Sequence, residues 1–169
     1  MLQQGFSLIE VLIVITIIAL IALAVLFTFG GQMEKGRDAR RKSDLHAVKT
    51  AFEEYYSDYE CYPPAEILDT CGGSELSHYL DEIPCDPKTL AKYYYAPEGS
   101  LCPSYYRVFS SLERETDEAI SALGCNSETG CGASAYFPEL GEEANNLNYG
   151  ISQGVTFYQS SGSENQPPA

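Results

Sequence analysis

The sequence predicts an α+β protein. A long N-terminal α-helix, transmembrane in its first half and amphipathic in its second, packs on a small antiparallel β-sheet head with disulfide-held loops. Three observations carry this prediction. An almost unbroken apolar run extends from Val11 to Phe29. Leu45, Val48, Phe52, Tyr55 and Tyr59 then recur at three- and four-residue steps, which is the spacing of one face of a helix. All six cysteines, Cys61, Cys71, Cys85, Cys102, Cys125 and Cys131, fall after that pattern ends.

The apolar run is interrupted only by Thr16 and Thr28. It is long enough to cross a bilayer as a helix, which takes about 20 residues. Glu10 stands where hydrocarbon should begin, and a carboxylate there is costly unless it finds a partner. This makes Glu10 a candidate functional residue. A secretory signal peptide is the plainer reading, but it needs a basic start and an apolar core of roughly 7–15 residues. Met1-Leu2-Gln3-Gln4 has no Lys or Arg, and the apolar run is too long. A signal anchor explains the hydrophobicity and leaves Glu10 unexplained.

Helical character continues past Phe29. The stretch from Glu34 to Asp44 interleaves Lys35, Arg37, Arg40, Arg41 and Lys42 with acids. It reads as a solvated helix surface, with Glu34 and Asp38 spaced to pair with Arg41 and Lys42. Taken as a positive-inside flank, the same bases would place this side in the cytoplasm. Joined to the apolar run, the stripe from Leu45 to Tyr59 gives one helix from about Phe6 to about Tyr59, roughly 80 Å long. Gly30, Gly31 and Gly36 are weak points, each costing about 1 kcal/mol relative to Ala. Cys61-Tyr62-Pro63-Pro64 ends the helix, because proline lacks a donor and disfavours helical geometry in the residue before it.

The head is loop-rich. A short helix is expected near Glu75–Leu80, a strand at Tyr93–Ala96, and a second strand, rich in aromatic and β-branched residues, at Tyr105–Leu112. The acids from Glu113 to Glu118 open a further short helix that ends near Leu123-Gly124. A loop follows from Cys125 to Gly132, and Tyr149–Tyr158 adds one or two short strands. The expected organisation is 1–5 leader, 6–29 transmembrane helix, 30–59 amphipathic continuation, 60–159 acidic head and 160–169 disordered tail.

Charge separates these parts. The 169-residue chain carries a formal net charge of −14 and has 13 Tyr and no Trp. Residues 6–59 hold seven acids and six bases, and residues 60–169 hold seventeen acids and four bases. So acidic a head repels phosphate backbones, and nucleic acid is not an expected partner. An even cysteine count confined to a small head reads as a disulfide framework facing an oxidising space, which opposes the positive-inside reading. Fifteen connectivities exist; proximity favours Cys125–Cys131, then Cys61–Cys71 and Cys85–Cys102. A zinc site is disfavoured, since no CxxC occurs and only His46 and His78 could join the cysteines. No nucleophile–base spacing and no Gly-rich phosphate loop is present, so no enzyme is expected. The acids at Glu113–Glu118 and Glu139–Glu143 read as solvated surface.

Gly5-Phe6-Ser7-Leu8-Ile9-Glu10-Val11-Leu12-Ile13-Val14 resembles the class III signal of type IV pilins and type II secretion pseudopilins. The resemblance covers about 25 residues closely and the following helix more loosely. It implies cleavage between Gly5 and Phe6 by a prepilin peptidase, N-methylation of Phe6, and pairing of Glu10 with the Phe6 amine of a neighbouring subunit. It also implies a bacterial cytoplasmic-membrane protein with an extracytoplasmic C-terminal head, assembled with itself or other pilins by a platform membrane protein and an ATPase. Cys61-Tyr62-Pro63 and Leu80-Asp81-Glu82-Ile83-Pro84-Cys85-Asp86-Pro87 resemble segments of the major type II secretion pseudopilin. That likeness brings in calcium, although no Asp-x-Asp-x-Asp-Gly pattern occurs and no ligands are assigned; no other cofactor is expected. The implied function is a structural subunit of a type IV pilus or secretion pseudopilus. The alternative is a minor tip pilin that acts as an adhesin or binding module.

Overall fold

The computed structural model describes residues 7–26, 29–99, 102–126 and 128–157. The chain divides into two compact units, residues 1–36 and 37–169. The expected leader and disordered tail lie outside the described residues.

The first unit contains helix α1, Leu8–Leu26, and the start of α2, Phe29–Tyr59. Residues 27 and 28 are not described, so the expectation of one uninterrupted helix falls partly outside the described residues. Gly30, Gly31 and Gly36 all lie within α2. The apolar side chains of α1 are exposed all round, from Leu8 to Leu23. Its 19 residues reach about 28 Å at 1.5 Å per residue, just under a hydrocarbon core of about 30 Å. Among the described residues no helix is long and apolar enough to cross a membrane.

The second unit is built around a three-stranded antiparallel sheet in the order β1-β2-β3. The strands are β1, Tyr94–Glu98, β2, Tyr105–Ser110, and β3, Tyr149–Gln153. Tyr95 pairs with Val108, and Val108 with Ile151. Side chains alternate across a strand, so Tyr95, Tyr106, Val108 and Ile151 share one face. That face packs with Leu45, Val48 and Phe52 of α2. Phe52 meets Tyr95 and Tyr106 edge-on, with ring centroids 5.0 and 5.2 Å apart, the arrangement that aromatic quadrupoles favour. The expected apolar stripe is thus the docking face, except at its end: Tyr55 is half-buried and Tyr59 is 60% exposed.

The opposite face of the sheet is covered too. Ala96 and Phe109 pack with Leu112, Ile120, Leu147 and Phe157. The covering segments are helix α3, Glu118–Ala122, and two 3-10 stretches, Ala133–Ala135 and Pro138–Asn146, the second kinked at Gly141. Arg107 fixes the last described residues: its Nε and Nη2 donate to the Thr156 carbonyl at 2.9 and 2.8 Å. Helix, sheet and loop layer therefore form three layers.

Several expected elements shift. The helix expected at Glu75–Leu80 is a series of turns, closed by Tyr79 and Leu80 N–H groups donating to the Leu76 carbonyl. A 3-10 turn at Ala65–Leu68 was not anticipated. β1 starts one residue and ends two residues later than expected, β2 starts at Tyr105 as expected and ends two residues early, and 149–157 holds one strand, β3. Helix α2 stops before the prolines. Glu60 adopts a left-handed φ of 56° and its N–H donates to the Tyr56 carbonyl at 2.8 Å, a residue-level helix stop.

Candidate functional site

Two places in the chain gather chemistry. The first is the N-terminal segment. Gly5 and Phe6 lie outside the described residues. Glu10 is in the first turn of α1 and is exposed, and its N–H donates to the Ser7 carbonyl at 3.0 Å. The Thr16 hydroxyl turns back to the Ile13 carbonyl at 2.8 Å, so this residue needs no outside partner. Glu10 is therefore the one ionisable side chain in a helix otherwise apolar on every side.

The second place is a buried charge cluster within the second unit. Asp38, Arg41 and Asp44 of α2 are 1%, 2% and 5% exposed. This corrects the reading of 34–44 as solvated helix surface at these three positions; Glu34, Lys35 and Arg40 are exposed, as expected, and Asp38 pairs with Arg41 along the helix. Arg41 is the hub. Its Nε and Nη2 donate to the two oxygens of Asp86 at 2.6 and 3.2 Å, and its Nη1 donates to Asp38 at 2.8 Å and Glu113 at 2.9 Å. Arg37 grips Glu113 through Nε and Nη2 at 2.6 and 2.7 Å, and Lys88 adds a third cation at 2.8 Å. The N–H groups of Glu113 and Arg114 donate to Asp38 at 2.9 and 3.1 Å.

Three cations thus meet three carboxylates. Taking charges from water is expensive unless every lone pair and proton is matched, and here forked contacts supply the match. Burial works most strongly against the Arg41 charge, but Asp86, Glu113 and Asp38 outweigh it and hold the guanidinium above its usual range. Burial likewise acts to raise the Asp86 carboxyl. Arg41, together with the Thr89 and Lys88 N–H groups, pulls it down to about 2 instead. Glu113 is held well below the ordinary carboxylate range, first by Arg37.

The cluster extends along α2. Lys42 donates to Asp117 at 2.7 Å, and Asp117 caps α3 by accepting from the Ala119 N–H. Asp44 bridges to Arg40 at 2.8 Å and accepts from the Tyr93 hydroxyl at 3.0 Å. Two turns of helix thereby hold segments on both sides of the β1–β2 hairpin. Glu113 and Asp117 are ion-paired and largely buried, which corrects the reading of that acidic run as solvated surface; Glu115 and Glu118 are exposed, as expected. One sequence signal for the cluster existed. Asp38, Arg41, Leu45, Val48 and Phe52 continue a single three- and four-residue rhythm, so the buried stripe runs on through charged residues.

All six cysteines are bridged, as Cys61–Cys102, Cys71–Cys85 and Cys125–Cys131. Only the last matches the pairing that proximity favours. The structure replaces Cys61–Cys71 and Cys85–Cys102 because backbone pairing decides which chain ends meet. Tyr62 N–H donates to the Pro103 carbonyl at 2.8 Å, bringing Cys61 beside Cys102. Gly72 N–H donates to the Ile83 carbonyl at 2.9 Å, closing the loop between Cys71 and Cys85.

Among the described residues no group of three or more His, Cys, Asp or Glu side chains is placed to hold a metal ion. The carboxylates that do converge, Asp38, Asp86 and Glu113, converge on a guanidinium, while Glu139, Glu142 and Glu143 point to solvent as expected. His46 is exposed, and His78 stands edge-on to the Tyr79 ring.

Comparison with known proteins bears on the N-terminal segment first. Residues 1–26 match the family described as the prokaryotic N-terminal methylation motif. The chain is similar to the type II secretion system core protein G of three bacteria. Against the Escherichia coli K12 protein it is 36% identical over 96 residues, covering 50% of this chain and 66% of the relative. Against those of Aeromonas hydrophila and Klebsiella pneumoniae it is 36% identical over 64 residues, covering 38% of this chain and 45% and 46% of the relatives. The similarity thus spans about half to two thirds of these relatives' length. No solved structure matches the chain significantly. With that motif at its N-terminus and that likeness to core protein G, the chain resembles the type IV pilin and type II secretion pseudopilin family over these segments.

Proposed function

We propose that this chain is a structural subunit of a membrane-anchored filament, a secretion pseudopilus or a type IV pilus, with no catalytic step of its own. In this reading a prepilin peptidase cuts between Gly5 and Phe6, the new Phe6 amine is methylated, and α1 forms the shared core. One observation carries it: α1 is apolar on every side and holds a single carboxylate, Glu10, in its first turn. A helix hydrophobic all round belongs among other apolar surfaces, first lipid and then neighbouring helices. There, a charge is tolerated only beside an opposite charge, and the amine freed at Phe6 of the next subunit provides one. Residues 6–29 serve as the membrane segment before assembly, and the head, which carries every disulfide, lies on the extracytoplasmic side. A platform membrane protein and an ATPase drive assembly.

Mass spectrometry of the mature N-terminus tests processing. The expected product begins at N-methylated Phe6; an intact Met1 on mature protein would contradict the proposal. Quantitative mass spectrometry of sheared filaments separates a repeating subunit, present in large excess, from a minor tip subunit with a binding role.

A further inference from the structure

We infer that the Cys71–Cys85 disulfide is a redox-sensitive latch that holds Asp86 against Arg41, so that the buried charge cluster is complete only where disulfides persist. The bridge closes the base of loop 71–85. Inside the loop, Gly72 N–H donates to the Ile83 carbonyl and Ile83 N–H to the Gly73 carbonyl, at 2.9 and 3.0 Å. Leu76 and Ile83 anchor it in the core.

Asp86 directly follows Cys85. Beyond it, Lys88 and Thr89 N–H groups donate to its carboxylate, both at 2.9 Å, and its own N–H donates to the Ala91 carbonyl at 2.9 Å. The aspartate is thus fixed from one side by the bridge and from the other by its own turn. Without the bridge, the turn and the Gly72–Ile83 and Ile83–Gly73 hydrogen bonds remain, but no covalent tie holds the residue next to Asp86.

The latch is reachable. Cys71 and Cys85 are partly exposed, whereas Cys125 and Cys131 are 5% and 0% exposed. An external dithiol acts by its thiolate attacking one bridge sulfur. The S–S bond breaks, a mixed disulfide forms, and the second reductant thiol displaces the protein sulfur. Two electrons and two protons pass to the protein, leaving two cysteine thiols and a cyclic disulfide of the reductant. Once Asp86 swings away, three cations face two carboxylates in a largely buried site, and breaking a buried pair in this way is strongly unfavourable. Coupling of this kind is reciprocal. Whatever weakens the Arg41–Asp86 contact must ease reduction of Cys71–Cys85.

The experiment compares full-length wild type and Asp86→Asn in detergent micelles. Both are equilibrated in graded ratios of reduced to oxidised dithiothreitol, trapped by alkylation, and each bridge is followed by peptide mass spectrometry. Asp86→Asn is expected to shift the reduction equilibrium of Cys71–Cys85 toward the thiols by about tenfold, the size of a lost hydrogen bond to a charged group, with Cys61–Cys102 unchanged within about twofold. Equal Cys71–Cys85 equilibria in the two proteins would overturn the inference. So would an equal shift of all three bridges, which signals general unfolding. Arg41→Lys keeps the charge and removes the fork. It should reproduce the selective shift, and failure to do so would also overturn the inference.

Discussion

Arg41 and Asp86 meet across 45 residues of sequence in a forked ion pair, with Nε–Oδ2 and Nη2–Oδ1 distances of 2.6 and 3.2 Å. This contact joins the helix to the segment that leads into β1. Arg41→Met removes the charge and leaves Asp38, Asp86 and Glu113 facing one another. The expected loss of stability is about 3–5 kcal/mol, read as a lower urea midpoint of the tyrosine signal. A loss below about 1 kcal/mol would show that the cluster contributes little.

The same contacts fix an acid limit. Asp86 is depressed from 3.8 to about 2, and Glu113 is held low as well. The folded state binds fewer protons than the unfolded one at these sites. Their stabilisation is therefore present above the unfolded pKa and is lost as pH falls through the folded one. Stability should decline steeply between about pH 4 and pH 2. Asp86→Asn should flatten that decline, with a contribution on the order of 2 kcal/mol, measured by urea titration at each pH.

Gly150 shows how closely the loop layer covers the sheet. A Cβ there would stand 2.3 Å from the Val108 carbonyl oxygen and 2.9 Å from the Phe157 ring. The backbone neighbour cannot give way cheaply, so Gly150→Ala should cost about 1–3 kcal/mol. It should also loosen Phe157, seen as faster amide exchange at that residue. Unchanged stability would mean that strand and loop layer are not in the contact described.

How much of this was legible follows from which forces are local. The helix, the first two strands and the docking face are periodic features, and Leu45, Val48 and Phe52 sit where the pattern placed them. The residues of the charge cluster were visible as charges but not as a cluster. Their partners Asp86 and Glu113 lie 45 and 72 residues from Arg41, and no local pattern reports such pairing. The disulfide partners were hidden for the same reason. Cys61 is ten residues from Cys71 in sequence, yet the backbone bond from Tyr62 to Pro103 delivers it to Cys102. The turns at 75–80 came from Leu76 being drawn into the core, which overrode a weak helical preference.

Tyrosine ionisation offers an independent check on the core. Burial pushes the hydroxyls of Tyr93, Tyr95 and Tyr106 well above their ordinary range and that of Tyr62 up to about 12. These groups favour folding fully below the unfolded tyrosine value near 10 and lose that contribution as pH rises through the folded values. Absorbance titration should show this group ionising only with alkaline unfolding. Full, smooth ionisation of every tyrosine by pH 11 with the fold intact would contradict the packing of Phe52 against Tyr95 and Tyr106.

The proposed assembly role of α1 turns on Glu10, its one ionisable side chain. Glu10→Ala, expressed with the complete secretion or pilus apparatus, tests it most directly through the yield of sheared filaments. The variant should be inserted and cleaved yet give at least about tenfold fewer filaments, the result of a buried charge pair that is lost. Wild-type filament yield from a cleaved Glu10→Ala subunit would contradict it.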